Sequence, residues 1–387
     1  MKITKLEIIT AQPFWNLLKV STDESARIRG GGDGGGELLY GVGEPLVEGR
    51  ARTVAAAVDE LGDMIIGKDP LDVARLWEIM YKGSFYRGGP VLSSAVSGVE
   101  QALWDIAGKY NGVPAYKLLG GRVRDRIRMY AWIHGDGIEE TVRAAKQRVA
   151  QGFNAIKMTA ANGPLKIVAS PEELSQMADR IGAVREAVGN SVDVGVDFHG
   201  RFSPSNAALL IKEIEQYRPM FVEEPVLPDN VDVMADIARS THIPIAAGER
   251  RFTRWGFKEI LEKRAAQILQ PDVCHAGGIH ELLKIAYMGE VNYCGLAPHN
   301  PMGPVALAAS FQVDACAPNF FIQEHSTLGG DRGIFLKEPF TQEGGYYTIS
   351  DKPGLGIEVD WERTETSDGH GHLQYWFNKD DGSFGEW

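Results

Sequence analysis

VDVGVDFHG (Val192–Gly200), FVEEPV (Phe221–Val226) and PIAAGER (Pro244–Arg250) repeat one design: a short apolar or β-branched run, then a carboxylate. The carboxylates are Asp197, Glu223 and Glu249, and each step between them is 26 residues. The same rhythm continues outward. Met129–Trp132 and Ala155–Met158 precede these runs, and Ala266–Gln270, Cys294–Ala297 and Phe320–Gln323 follow them, making eight with Val192–Phe198, Met220–Val226 and Ile243–Gly248. Helical stretches lie between, among them Ile138–Ala150, Pro171–Val188, Ser205–Gln216, Val231–Arg239 and Arg254–Leu261. Eight strand–helix alternations in about 200 residues predict an α/β fold of the closed (β/α)8, TIM-like type. No GxGxxG opens a helix, which disfavours an open dinucleotide-binding sheet.

The barrel is expected over residues 126–339. Residues 1–125 read differently. Strand signals at Lys2–Thr10, Leu17–Ser21 and Leu38–Glu44 precede helical patterns at Ala51–Ile66, Val73–Met80 and Ser93–Tyr110, an α+β capping module. In the last helix Val96, Val99, Leu103 and Ile106 form one apolar stripe. Arg27–Glu37 (RIRGGGDGGGE) has no apolar periodicity and predicts a mobile surface loop. The tail, about 340–387, is expected to fold back on the first module.

Apolar residues make up 44% and charged residues 24% of the 387, as in ordinary globular proteins. A net charge of −12 without a basic stripe argues against nucleic acid. No run reaches the roughly 20 apolar residues of a membrane span. Cys274, Cys294 and Cys316 form no CxxC pair and read as buried thiols of a reducing compartment. A cytoplasmic location follows by default.

In a barrel of this kind the chemistry gathers where strands end. Asp272 lies 23 residues beyond Glu249, His299 27 beyond Asp272, and Glu324 25 beyond His299, so one acidic or imidazole group per unit faces a single mouth. Three adjacent carboxylates repel one another unless a cation sits among them. Oxygen donors without cysteine suit Mg²⁺, with Mn²⁺ the nearest rival. His199, two residues past Asp197, is expected on the same side of its strand. Asp272 is placed to orient His299 as a general base. His134, His242, His280, His370 and His372 read as packing or surface residues, and His275 and His325 stay open.

These residues, with VGEPLVEGRARTV, FYRGGP, QALWDIAGK, LGGRVRD, DFHGR, EEPV, AAGER, QPDVCHAGGI, LAPHNPMGP and KPGLGIE, resemble the mandelate-racemase-like sugar-acid dehydratases of the enolase superfamily. The superfamily pairs a Lys or His base with Mg²⁺. The resemblance implies that Asp197, Glu223 and Glu249 hold one Mg²⁺, that His299 with Asp272 is the base, that His199 is the acid, and that Glu324 bonds the substrate carboxylate. It implies a sugar-acid substrate, D-galactonate leading, and a homo-oligomer, often an octamer. Lys157, Thr159 and Arg87 are the expected substrate contacts. Thr159 stands where many relatives carry a second lysine, so a two-base racemase is disfavoured. An acid-sugar epimerase and a non-catalytic barrel remain the alternatives. The glycine-rich insert bears on which sugar acid is accepted.

Overall fold

Three antiparallel strands open the chain: β1 (Ile3–Ala11), β2 (Trp15–Ile28) and β3 (Gly32–Gly43). The computed structural model describes residues 1–12, 15–28, 32–325, 335–369, 375–378 and 381–386. Strand pairing runs into the glycine-rich stretch, with Arg27 opposite Asp33 and Ile28 opposite Gly32. The expected loop is therefore largely the end of a hairpin, whose residues 29–31 lie outside the described residues.

Helices α1 (Ala51–Ile65), α2 (Val73–Lys82) and α3 (Gly89–Asn111) cover this sheet. Leu18 and Val20 of β2 share a core with Val54 and Val58 of α1, Leu76 of α2 and the predicted stripe of α3. Close approach is enforced by glycine. A Cβ on Gly41 would lie 2.0 Å from the Ala102 carbonyl oxygen, and one on Gly43 would lie 1.9 Å from that of Gly98. Gly43→Ala must push α3 off the sheet and is expected to destabilise the protein by about 3 kcal/mol, read as a lower urea midpoint.

After α4 (Ala115–Leu118) the barrel begins. Its strands are β4 (Arg126–Trp132), β5 (Ala155–Thr159), β6 (Asp193–Asp197), β7 (Phe221–Glu223), β8 (Ile245–Ala247), β9 (Ile268–Leu269), β10 (Gly295–Leu296) and β11 (Gln323–His325). They pair in parallel in that order from β4 to β10, Leu296 bridges Phe320, and β11 pairs with β4, so the ring closes. Seven helices fill the crossovers: α5 (Ile138–Ala150), α6 (Pro171–Val188), α7 (Pro204–Ile214), α8 (Val231–Ser240), α9 (Thr253–Lys263), α10 (Ile279–Val291) and α11 (Pro304–Cys316). After β11 the described chain enters a hairpin, β12 (Gln342–Glu343) and β13 (Tyr346–Thr348), instead of an eighth helix, and β13 lies antiparallel on Arg126–Arg128.

Tyr130, Ala155, Phe221, Ala246, Ile268, Ala297 and Ile322 form a small separate apolar cluster drawn from the barrel strands. Large and small residues alternate in it, as filling a narrow barrel requires. Every residue of α11 is buried, and the helix packs against α4 and β3 as well as β4, so it lies between the barrel and the capping sheet.

The tail only partly follows expectation. Gln12 N donates to Glu365 O and Ser367 N to Thr10 O, on the capping module. Farther on, Trp376 lies under the Arg201 guanidinium, 4.3 Å from ring centroid to carbon, at the barrel loop after β6. Among the described residues no helix is long and apolar enough to cross a membrane.

Candidate active site

Parallel register brings the first two carboxylates side by side. Asp197 ends β6, Glu223 ends β7, and the two are register partners. Lys157 rises between them from β5. Its fully buried ammonium lies 2.6 Å from Glu223 Oε2, 3.3 Å from Asp197 Oδ2 and 3.5 Å from Glu324 Oε1. Burial pulls its pKa down, but Glu223, Glu324 and Asp197 outweigh it and hold the pKa well above the ordinary lysine value. The same ammonium lies 4.4 Å from the Trp132 ring centroid, a cation–π contact. Trp132 Nε1 also donates to Glu324 Oε1, and Asn300 N donates to Glu324 Oε2 at 2.7 Å.

The remaining groups sit two or three residues past the strands. His199 is placed by a turn rather than by strand alternation: its φ is 51°, and its backbone N donates to Asp197 Oδ1 at 2.8 Å. Its Nδ1 lies 3.3 Å from the same oxygen. Arg250 Nη2 donates to the His199 carbonyl at 3.1 Å while its Nε donates to Glu224 Oε2 at 2.9 Å, bracing the turn. Across the mouth, His299 Nδ1 and Asp272 Oδ2 share a hydrogen bond of 2.7 Å, and His299 Nε2 lies 3.1 Å from Glu249 Oε2. His199 follows β6 and His299 follows β10, four strands apart in a ring of eight, so the two imidazoles flank the mouth from opposite sides.

Electrostatics separate the two histidines. Burial lowers the pKa of His199 below the ordinary imidazole value, with Asp197 pulling the other way. For His299 burial also pulls down, but Glu249, Glu324 and Asp272 outweigh it and hold the pKa well above that value. Glu223 is pushed well above the carboxylate range by burial and by Asp197. Burial pushes Glu324 up, but Lys157 and His299 outweigh it and lower its pKa from the ordinary carboxylate value.

This imbalance bears on a cation. Glu223 Oε1 is buried and accepts no hydrogen bond, and Asp197 Oδ2 is met by the Lys157 ammonium at 3.3 Å as an ion pair. A buried unsatisfied oxygen on Glu223 beside the Asp197 carboxylate, with Glu249 at the same mouth, fits a hard divalent ion. Among the described residues, the ligand-type triplet with donor atoms all within 4.8 Å is instead Asp272, His275 and His299. Those atoms are already engaged. Asp272 accepts from Cys274 N at 2.6 Å and bonds His299, while His275 Nδ1 meets Ser94 Oγ at 3.2 Å and its Nε2 faces Glu48 Oε2 at 3.5 Å. Asp197, Glu223 and Glu249 are not such a triplet among the described residues, and Glu249 Oε2 lies against His299 Nε2.

The other expected contacts are not gathered here. Thr159 is the register partner of Asp197, but its hydroxyl donates to Asn162 Oδ1 at 2.8 Å. Arg87 is exposed on the segment between α2 and α3, with its guanidinium carbon 5.9 Å from the Tyr81 ring centroid. The side chain of His325 lies outside the described residues. Trp132 and Glu48 were missed. Trp132 is the last residue of β4, so the strand-end rule applied to aromatics would have found it.

Residues 33–120 match the model of the mandelate racemase/muconate lactonizing enzyme N-terminal domain, and residues 140–363 match that of the enolase C-terminal domain-like family. The chain belongs to the enolase superfamily. Within it, the chain is 45% identical to D-galactonate dehydratase of Cronobacter sakazakii, over 94% of this chain and 93% of that one. It is 46% identical to D-galactonate dehydratase of Ralstonia pickettii, over 93% and 92%. Among solved structures, a mandelate racemase/muconate lactonizing enzyme-like protein from Rubrobacter xylanophilus superposes with a TM-score of 0.86 at 34% identity, covering 95% of this chain and 98% of that one. An enolase superfamily member from Salmonella typhimurium gives 0.84 at 33%, covering 94% and 97%. The superfamily's arrangement of an N-terminal capping module on an α/β barrel is the one described above.

Proposed function

We propose that this enzyme dehydrates a sugar acid, D-galactonate first among them, to the 2-keto-3-deoxy acid. The observation that carries the reading is a pair of imidazoles following strands four apart in the ring, with a cluster of carboxylates at the mouth between those strands, in a chain so similar to named dehydratases. Asp197, Glu223 and Glu249 are the residues that would hold Mg²⁺, whose chemistry when bound is that of a Lewis acid for the substrate carboxylate. His299 Nε2 takes the proton from carbon 2, and Asp272 holds Nδ1 and steadies the imidazolium. Lys157 sets positive charge beneath the developing enediolate. His199 gives a proton to the 3-hydroxyl, the C3–O bond breaks, water leaves, and the enol becomes the ketone. A substrate carboxylate beside His199 adds to the pull of Asp197 and favours its protonated form. Glu249 must leave His299 for Nε2 to face substrate, and its departure removes the largest of the charges that hold the Nε2 proton, so that the imidazole is neutral when it acts as base. The setting proposed is cytoplasmic, with the chain in a homo-oligomer.

A panel of diastereomeric sugar acids, scored for 2-keto acid, tests this reading, and galactonate is expected to lead. EDTA should abolish turnover and Mg²⁺ should restore it; turnover indifferent to chelation would remove the ion. Thr159 leaves no second lysine base, so exchange at carbon 2 without loss of the 3-hydroxyl is not expected and would favour an epimerase.

A further inference from the structure

Four barrel helices, α5, α9, α10 and α11, begin without a side-chain cap of their own. The N-cap positions of α10 and α11 are Gly278 and Gly303, and neither supplies a side-chain hydrogen bond. By contrast Ser170, Ser203 and Asn230 cap α6, α7 and α8. A helix start leaves backbone N–H groups unpaired and carries the positive end of the dipole. For α10 and α11 the acceptor comes from the other domain. Glu100 of α3 accepts from Ile279 N at 2.7 Å and His280 N at 2.9 Å. Glu44, one residue past β3, accepts from Gly303 N at 2.6 Å and Ala306 N at 2.9 Å. Both carboxylates are fully buried. The glycines are the notches that admit them: a Cβ on Gly278 would lie 2.1 Å from Glu100 Oε2, and one on Gly303 would lie 2.7 Å from Glu44 Oε1.

These helices follow β9 and β10, whose loops carry Asp272 and His299. The His299 loop is fixed at three points. His299 bridges Asp272, Asn300 N donates to Glu324 on the barrel, and Gly303 N donates to Glu44 on the cap. The Asp272 loop is held in the same way: Gln101 Nε2 donates to Val273 O at 3.1 Å, Gly277 N to Ser97 Oγ at 2.9 Å, and Trp77 Nε1 to Gly277 O at 2.8 Å. Both halves of the dyad thus hang between the two domains.

We infer that Glu44 is a positioning residue for His299, with Glu100 its counterpart for Asp272, so that the base reaches its working geometry only with the capping module docked. The inference rests on the reading of His299 as base.

Steady-state kinetics of the full chain on the sugar acid it turns over tests the inference, with Mn²⁺ affinity measured in parallel. Glu44→Ala should lower kcat on the order of 10²-fold, the penalty of a slightly misplaced base. KM should stay within about threefold and ion affinity should be unchanged. Glu44→Gln keeps an acceptor and should recover most of the loss. Gly303→Ala displaces the same carboxylate from the other side without changing charge, and should reproduce part of the loss even if Glu44→Ala does not fold. Wild-type kcat in Glu44→Ala or in Gly303→Ala would overturn the inference, as would equal losses in the Ala and Gln variants. A wild-type enzyme inactive on every sugar acid would instead sink the functional reading.

Discussion

Asn in place of His299 should lower kcat on the order of 10³-fold, with divalent-ion binding unchanged. The side chain is short enough to fit and can still donate to Asp272, now 2.7 Å from His299 Nδ1, so the loop keeps its anchor. What it lacks is a nitrogen basic enough to take a carbon-bound proton. Proton NMR in D₂O reads that step directly. His299→Asn should lose exchange at carbon 2 together with water elimination. His199→Asn should keep the exchange and lose the elimination, because His199 acts only on the leaving hydroxyl. Exchange at the wild-type rate in His299→Asn would move the base elsewhere. Exchange lost in both variants would mean that His199 takes part in proton removal.

The sequence exposes the site through period and hides it through packing. Asp197 and Glu223 are legible because parallel register turns equal spacing into adjacency. Strand alternation predicts His199 at the mouth, and a left-handed turn is what places it there. Helix α11 shows no amphipathic period because all its faces are covered, and a helix buried all round has no stripe to read. Glu44 and Glu100 look like ordinary charges in a helical module. Their partners lie 259 and 179 residues away, a distance that local patterning does not span. Arg87 of the FYRGGP motif is exposed on the segment between α2 and α3, away from the buried carboxylates, so its expected substrate contact is not one the strand ends position. The sequence offers Lys157 as a substrate contact, and only its surroundings reveal it as the cation that the carboxylates share.

Lys157→Met should be the most damaging single change to the ion-free protein, lowering its stability by about 3–5 kcal/mol. Met matches the length of the lysine stem and can keep the contact with the Trp132 ring, so packing changes little and the charge is what disappears. Asp197, Glu223 and Glu324, each within 3.5 Å of the ammonium, would then face one another with that neutralisation gone. Glu223 already sits well above the carboxylate range through burial and Asp197, and losing Lys157 removes what opposes that rise. Two consequences separate this account from a simple packing defect. Mg²⁺ should raise the melting temperature of Lys157→Met more than that of the wild type, since a second cation can replace part of the missing charge. Lowering the pH should recover part of the stability, because a protonated carboxylate no longer repels its neighbours. If Lys157→Met melts like the wild type in EDTA, the carboxylates do not depend on the lysine for neutralisation, and the charge argument for a divalent ion at this mouth falls with it.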